Sequence, residues 1–207
     1  CTYQGAGVVS RDLLPTFAGR VGLFNNQPAD RLLDAADLVI TVGYNPIEYD
    51  PKLWNGGCRC RVVHIDCVPA AIDTDYKPEL ELIGDIAATV RALAGRLGPA
   101  DRVSGNAELG GVRDELAGVR ARGGSLDGFP IHPLRMISEL QPFMGEDVTL
   151  ALDMGSFHIW HARYLFSFRP QQLLISNGQQ TLGVALPWAI AACLARPRDK
   201  ILSVSGD

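Results

Sequence analysis

Val148-Thr149-Leu150-Ala151-Leu152-Asp153 is a short apolar run closed by a carboxylate, and Met154-Gly155-Ser156-Phe157-His158-Ile159-Trp160 follows it as a turn entering a helix. The pattern then repeats. Gln172-Leu173-Leu174-Ile175-Ser176 reads as a second strand, and Asn177-Gly178-Gln179-Gln180-Thr181-Leu182-Gly183 as a polar loop. An apolar helix is expected over residues 184–194, and a third strand, Lys200-Ile201-Leu202-Ser203-Val204-Ser205, ends in Gly206-Asp207. Strand, loop and helix in alternation predict an α/β fold with parallel sheets and crossover helices. Ligands on such sheets sit beyond the carboxyl ends of the strands. Asp153, Asn177 and Asp207 all fall there.

Composition narrows the class. The chain has 207 residues, 47% hydrophobic and 20% charged, which suits a globular protein of one or two domains. The net charge of −4 gives no footprint for nucleic acid or an anionic membrane. No apolar run reaches membrane-spanning length. The opening Cys1-Thr2-Tyr3-Gln4 lacks both a basic start and an apolar stretch, so no signal peptide is expected. It also lacks an initiating Met, so the chain is expected to be a piece of a longer product. The five cysteines, Cys1, Cys58, Cys60, Cys67 and Cys193, are odd in number and contain no Cys-x-x-Cys pair. They read as structural or incidental thiols in a reducing, cytoplasmic setting.

Upstream, Gly5-Ala6-Gly7 opens like a dinucleotide fingerprint, but Ser10 stands where the third glycine belongs. A turn is the favoured reading. A short helix is expected over residues 29–36. Asp37-Leu38-Val39-Ile40-Thr41-Val42-Gly43 and Arg61-Val62-Val63-His64-Ile65-Asp66-Cys67 read as buried parallel strands, and Glu81-Leu82-Ile83-Gly84 as a third. His64 reads as a satisfied core or edge histidine, and Asp66 as a strand-end carboxylate. Asp85 is placed to cap a helix whose apolar stripe is Ile86, Val90, Leu93 and Leu97. Residues 98–130 carry many glycines and one modest helix, Arg113 to Arg122, and read as a solvated linker. His132-Pro133 opens a further helix with Leu134, Ile137 and Leu140 on its buried face. The expected organisation is a first α/β domain over 1–98, a linker over 99–130 and a second domain over 131–207.

A diphosphate needs backbone donors at a helix N-terminus and a metal held by hard oxygens. Gly155-Ser156-Phe157 and Asp207 supply those residue types in suitable positions. Taken singly, an ordinary βα loop and a chance Gly-Asp account for them as well.

Taken together, Asp-Met-Gly-Ser-Phe-His-Ile-Trp (153–160), Ser-Asn-Gly-Gln-Gln-Thr-Leu-Gly-Val-Ala-Leu-Pro-Trp-Ala-Ile (176–190) and Ser-Val-Ser-Gly-Asp (203–207) resemble the pyrophosphate-binding domain of thiamine-diphosphate enzymes. Within that superfamily the chain is similar to the catabolic, FAD-independent acetolactate synthases. The resemblance implies an incomplete central Rossmann-like domain followed by the N-terminal part of a thiamine-diphosphate-binding domain. It implies pyruvate as substrate, decarboxylated and joined to a second pyruvate to give 2-acetolactate and carbon dioxide. It implies thiamine diphosphate and Mg2+ as cofactors. Asp153, Gly155, Ser156 and Phe157 would line the diphosphate, Gln180 and Leu182 would lie under the cofactor rings, and Asp207 would bind the metal. Leu182 stands where many relatives carry Met and would bend the cofactor. The same residue also reads as a plain core leucine.

Biosynthetic, FAD-containing relatives carry an Arg-Phe-Asp-Asp-Arg-like segment where this chain has Gly43-Tyr44-Asn45-Pro46-Ile47-Glu48-Tyr49. Gly22-Leu23-Phe24-Asn25-Asn26-Gln27 and Asp30-Arg31-Leu32-Leu33 point to the catabolic branch too, so no FAD is expected. The family's activating glutamate belongs to an N-terminal domain, so no catalytic acid or base is assigned in this chain, and the chain alone is expected to be inactive. Self-association as a homodimer or homotetramer is implied for the intact protein. The rival readings are another thiamine-diphosphate decarboxylase, a non-catalytic nucleotide-binding module, and a truncated homologue with a structural role.

Overall fold

A computed structural model describes residues 1–97, 107–176 and 179–206 of the chain. It contains two compact units, Gly22–Gly110 and a second made of Cys1–Val21 with Gly111–Asp207.

In the first unit, α1 (Asp30–Ala35) precedes β1 (Leu38–Val42), and α2 (Pro51–Asn55) precedes β2 (Arg61–Asp66). β3 (Leu80–Ile83) and α3 (Ile86–Leu97) follow. The strands form a parallel sheet in the order β1-β2-β3, with Thr41 beside His64 and His64 beside Glu81. Asp50 caps α2 by accepting the Lys52 N–H, and Pro51 supplies a preset first-turn φ. Asp85 caps α3 as expected, accepting the Ala88 N–H at 2.7 Å.

One face of this sheet is closed by an aromatic cluster. The Tyr76 hydroxyl lies 2.7 Å from Thr41 Oγ1 and 2.9 Å from His64 Nδ1, while His64 Nε2 faces the Val68 carbonyl. His64 is therefore a satisfied core histidine, as its setting in the sequence suggested. Tyr44, Trp54 and Tyr76 pack edge to face, and Trp54 Nε1 donates to the Tyr44 hydroxyl. The Gly43–Tyr49 segment thus contributes Tyr44 to a packed, hydrogen-bonded cluster.

The other face departs from expectation. Leu38, Ile40 and Val42 alternate outward and are 42–50% exposed. β1 is not buried on both sides: among the described residues only its Val39 and Thr41 face is covered. Val90 and Leu97 of α3 are exposed as well.

The second unit is built from α4 (Ala107–Gly123), α5 (Pro133–Leu140), β4 (Val148–Leu152), α6 (Ser156–Tyr164), β5 (Leu173–Ile175), α7 (Ala185–Ala195) and β6 (Lys200–Val204). Its parallel sheet runs β5-β4-β6. Central β4 is buried at every position. α7 packs close on one face through Ala185 and Ala189 against Ala151, with Trp188, Leu174 and Ile201 beside them. Since β4 passes to β5 on one side and β5 returns past β4 to β6, right-handed crossovers set α6 and α7 on opposite faces. At the strand starts, the Arg169 guanidinium bonds Asp199 and Thr149, and Arg196 bonds Thr149 and the Gln171 carbonyl.

Three features differ from the sequence reading. Residues 1–21 group with the second half of the chain, not with residues 22–97. The expected linker contains the seventeen-residue α4, whose Val112 and Leu116 are buried, so this stretch is core and not a solvated tether. Gly5-Ala6-Gly7 is a hydrogen-bonded turn, and Gly7 has φ +91° with its missing Cβ directed at the Arg169 carbonyl, 1.9 Å away. That glycine exists for backbone contact and not for a phosphate.

Candidate functional site

The strand order β5-β4-β6 reverses at β4, which makes the gap beyond the carboxyl ends of β4 and β6 a topological switch point. Of the sequence-nominated residues, Asp153, Gly155, Ser156 and Phe157 lie at the β4 end of this gap. Asp153 ends β4 and is 5% exposed. Its Oδ1 accepts the Met154 N–H at 2.9 Å and the Gly183 N–H at 2.8 Å. It therefore staples the end of β4 to the loop that starts α7, so it shapes the site through the backbone.

Gly155 is the N-cap of α6, with φ 153° and ψ 176°. Only glycine holds that conformation readily. Because the cap has no side chain, no side-chain oxygen caps the first turn of α6; the Gly155 carbonyl accepts the His158 N–H at 3.1 Å, which leaves the Ser156 and Phe157 N–H groups without a capping side chain. Ser156 is exposed beside it. The helix dipole and these donors suit an anion. Phe157 is half-buried, and its ring lies against both Gly155 and Gly206.

On the far side, the β5–α7 loop carries Gln180 at φ 50° and Gly183 at φ 77°. Leu182 is 75% exposed. It is not a core leucine, and its side chain is accessible to a ligand. Asn177 and Asp207 lie outside the described residues, so the expected metal position is not placed. Among the described residues no three His, Cys, Asp or Glu side chains gather as a metal cluster.

Sequence reasoning missed the support beneath the turn. His158 and His161, on the inward side of α6, are fully buried. Burial, and next the neighbouring His161, push the His158 pKa down to about 4. Burial lowers His161 as well, against the pull of the Phe157 carbonyl 2.8 Å from its Nδ1. Both rings are neutral at neutral pH, so the positive field at the turn comes from the backbone. Among the described residues neither nitrogen of His158 has a hydrogen-bond partner, and Tyr3 packs edge-on against the ring.

An acid prediction follows. The unfolded chain takes up a proton on His158 near its ordinary pKa of about 6.5, whereas the folded chain does so only near 4. Stability is full above the first value and falls as pH drops toward the second. The melting temperature is expected to fall across that window, and His158→Leu is expected to flatten the fall. An unchanged profile in the variant would assign the acid sensitivity elsewhere.

The same stretches carry a family signature. Residues 1–93 match the model of the thiamine pyrophosphate enzyme central domain, and residues 153–207 that of the thiamine pyrophosphate enzyme C-terminal TPP binding domain. This chain belongs to the thiamine pyrophosphate enzymes. It is 52% identical over 206 residues to a catabolic acetolactate synthase of Raoultella terrigena, covering 99% of this chain and 37% of that relative. It is 46% identical over 209 residues to an acetolactate synthase of Bacillus subtilis (strain 168), covering all of this chain and 36% of the relative. It is 30% identical over 211 residues to acetolactate synthase isozyme 2 large subunit of Escherichia coli (strain K12), again covering 36% of the relative. The chain thus spans a little over a third of the length of these relatives. The matched C-terminal segment of this thiamine pyrophosphate enzyme begins at Asp153, the residue that opens the switch-point turn. No helix among its described residues is long and apolar enough to cross a membrane.

Proposed function

We propose that this chain forms the central domain and the front of the cofactor domain of a catabolic acetolactate synthase. That enzyme decarboxylates pyruvate and joins the two-carbon unit to a second pyruvate, giving 2-acetolactate and carbon dioxide. The observation that carries the reading is the 52% identity to a catabolic acetolactate synthase across nearly the whole chain. The glycine-capped turn at the switch point supports it, because its donors and open backbone fit a diphosphate.

Thiamine diphosphate, when bound, supplies the electron sink for decarboxylation. The residues hold it. Backbone N–H groups of Ser156 and Phe157 would hold the diphosphate, with the Ser156 hydroxyl beside them. Gly155 keeps that approach clear. Asp153 fixes the turn to the β5–α7 loop, which presents Gln180 and Leu182 to the rings. Asp207 would contribute a carboxylate to Mg2+. The proposed enzyme needs no FAD, works in the cytoplasm and assembles as a homodimer or homotetramer.

The test is acetolactate formation from pyruvate by the full-length protein with thiamine diphosphate and Mg2+ and without FAD. Product supports the reading, and activity only after adding FAD would move the protein to the biosynthetic branch. Leu182 gives a sharper prediction. Its exposure means that Leu182→Ala should leave the melting temperature nearly unchanged while lowering turnover about tenfold, a loss of roughly 1.4 kcal/mol. Leu182→Met, which keeps bulk and apolarity, should retain activity. Equal activity in Leu182→Ala would remove the residue from the site.

A further inference from the structure

A cleft of about 430 Å3 lies between the short 3-10 helix Arg11–Thr16 and α4, and it shares no residue with the switch-point turn. Three guanidiniums line it, those of Arg11, Arg113 and Arg120, against one carboxylate, Asp114. Leu14, Phe17 and Phe166 add apolar surface. All of these residues belong to the same compact unit.

Aromatic rings orient two of the arginines. The Arg11 guanidinium carbon stands 3.6 Å from the centroid of Phe168, and that of Arg120 stands 3.9 Å from the centroid of Phe166. Arg120 is fixed further by donating from Nη2 to Gln141 Oε1 at 3.1 Å. The same oxygen accepts the Phe166 N–H at 2.7 Å, while Gln141 Nε2 donates to the Phe166 carbonyl at 3.2 Å. The ring under Arg120 and the amide that it bonds are thus locked to each other. Both partners are neutral. Among the described residues no carboxylate bonds Arg11, Arg113 or Arg120, and burial alone draws the Arg120 pKa down.

A guanidinium carries five N–H donors in a planar fork, and Arg120 commits one of them to Gln141. A half-buried, oriented fork with donors to spare suits a bidentate oxyanion, phosphate above all. A bare inorganic ion would leave the apolar wall uncovered, and the cleft has the size of a small-molecule site. Asp114 weighs against a large polyanion by like-charge repulsion. We propose that this cleft binds a small organic phosphate, with the phosphate on the Arg11, Arg113 and Arg120 guanidiniums and the apolar body along Leu14 and Phe17. The proposal is independent of the cofactor reading.

The probe is phenyl phosphate, titrated by calorimetry into the full-length protein with thiamine diphosphate and Mg2+ already present, so that the cofactor's own phosphate site is filled. Saturable binding is expected, about tenfold tighter than that of inorganic phosphate, the ratio for partly burying a phenyl ring. Arg113→Gln and Arg120→Gln should each weaken it by at least about tenfold, the scale of one charge-assisted hydrogen bond. Arg113 is exposed and bonds no other described side chain, so its variant carries the test if Arg120→Gln fails to fold. No saturable binding by the native protein, or native affinity in both variants, would overturn the site. Equal affinity for phenyl phosphate and inorganic phosphate would overturn the organic ligand. Binding seen only when thiamine diphosphate is left out would move the phosphate to the cofactor site and overturn the cleft. Failure of the protein to bind thiamine diphosphate itself would count against the diphosphate reading alone.

Discussion

Arg20→Met is expected to destabilise the fold by about 3–5 kcal/mol, the range for stripping the partner from a buried charged network. Arg20 is 3% exposed. Its Nη1 donates to the carbonyls of Ala162 at 2.9 Å and Leu165 at 2.7 Å, and its Nη2 donates to Ser167 Oγ at 2.7 Å. These acceptors lie at the C-terminal end of α6, where the helix carries partial negative charge. Burial draws the guanidinium pKa down to about 10, so it remains charged at neutral pH, with helix carbonyls as partners. Methionine fills part of the volume but leaves three buried acceptors unpaired. Arg20→Lys should recover only part of the loss, because one ammonium cannot reproduce the planar fork. Thermal melts check this, and a shift equivalent to less than about 1 kcal/mol, the scale of one ordinary hydrogen bond, would contradict it. Since α6 bears the Gly155–Phe157 turn at its other end, loss of Arg20 should also loosen cofactor binding.

Gly155→Ala is expected to weaken thiamine diphosphate binding about thirtyfold with a smaller effect on folding. The backbone at φ 153° and ψ 176° lies in a region nearly confined to glycine, and holding an alanine there costs about 2 kcal/mol. The new methyl would also sit 2.6 Å from Phe157 Cε1, so the ring must shift or the turn must open. Opening the turn aims the first N–H groups of α6 away from the anion. Calorimetry with Mg2+ present measures the loss. Native affinity in the variant would mean that the turn does not hold the diphosphate.

Much of this architecture is legible in the residues. The strands of both sheets, the cap at Asp85 and the Pro133 helix start follow from local pattern, because neighbours in sequence determine them. His132 completes that start by accepting the Leu134 N–H on its Nδ1. The site turn is legible through the run from Asp153 to Phe157. What escapes the sequence depends on distant partners. Arg20 meets Ala162 across 142 positions, and no local signal marks such a pairing. Gly7 is explained only by the Arg169 carbonyl beside it. The apolar run of β1 reads as doubly buried, yet Leu38, Ile40 and Val42 face outward, because coverage of a strand belongs to the elements around it. Leu182 illustrates the same limit at the site: an apolar residue before a helix suits a core or a ligand platform equally in the sequence, and on this chain it is 75% exposed.

The central claim is that the β4–β6 switch point holds the diphosphate of the cofactor. A crystal structure of the full-length protein with thiamine diphosphate and Mg2+ tests it most directly. The account predicts phosphate oxygens within hydrogen-bond distance of the Ser156 and Phe157 N–H groups, with Leu182 against the cofactor rings. Diphosphate density bound away from the Gly155–Phe157 turn would contradict it.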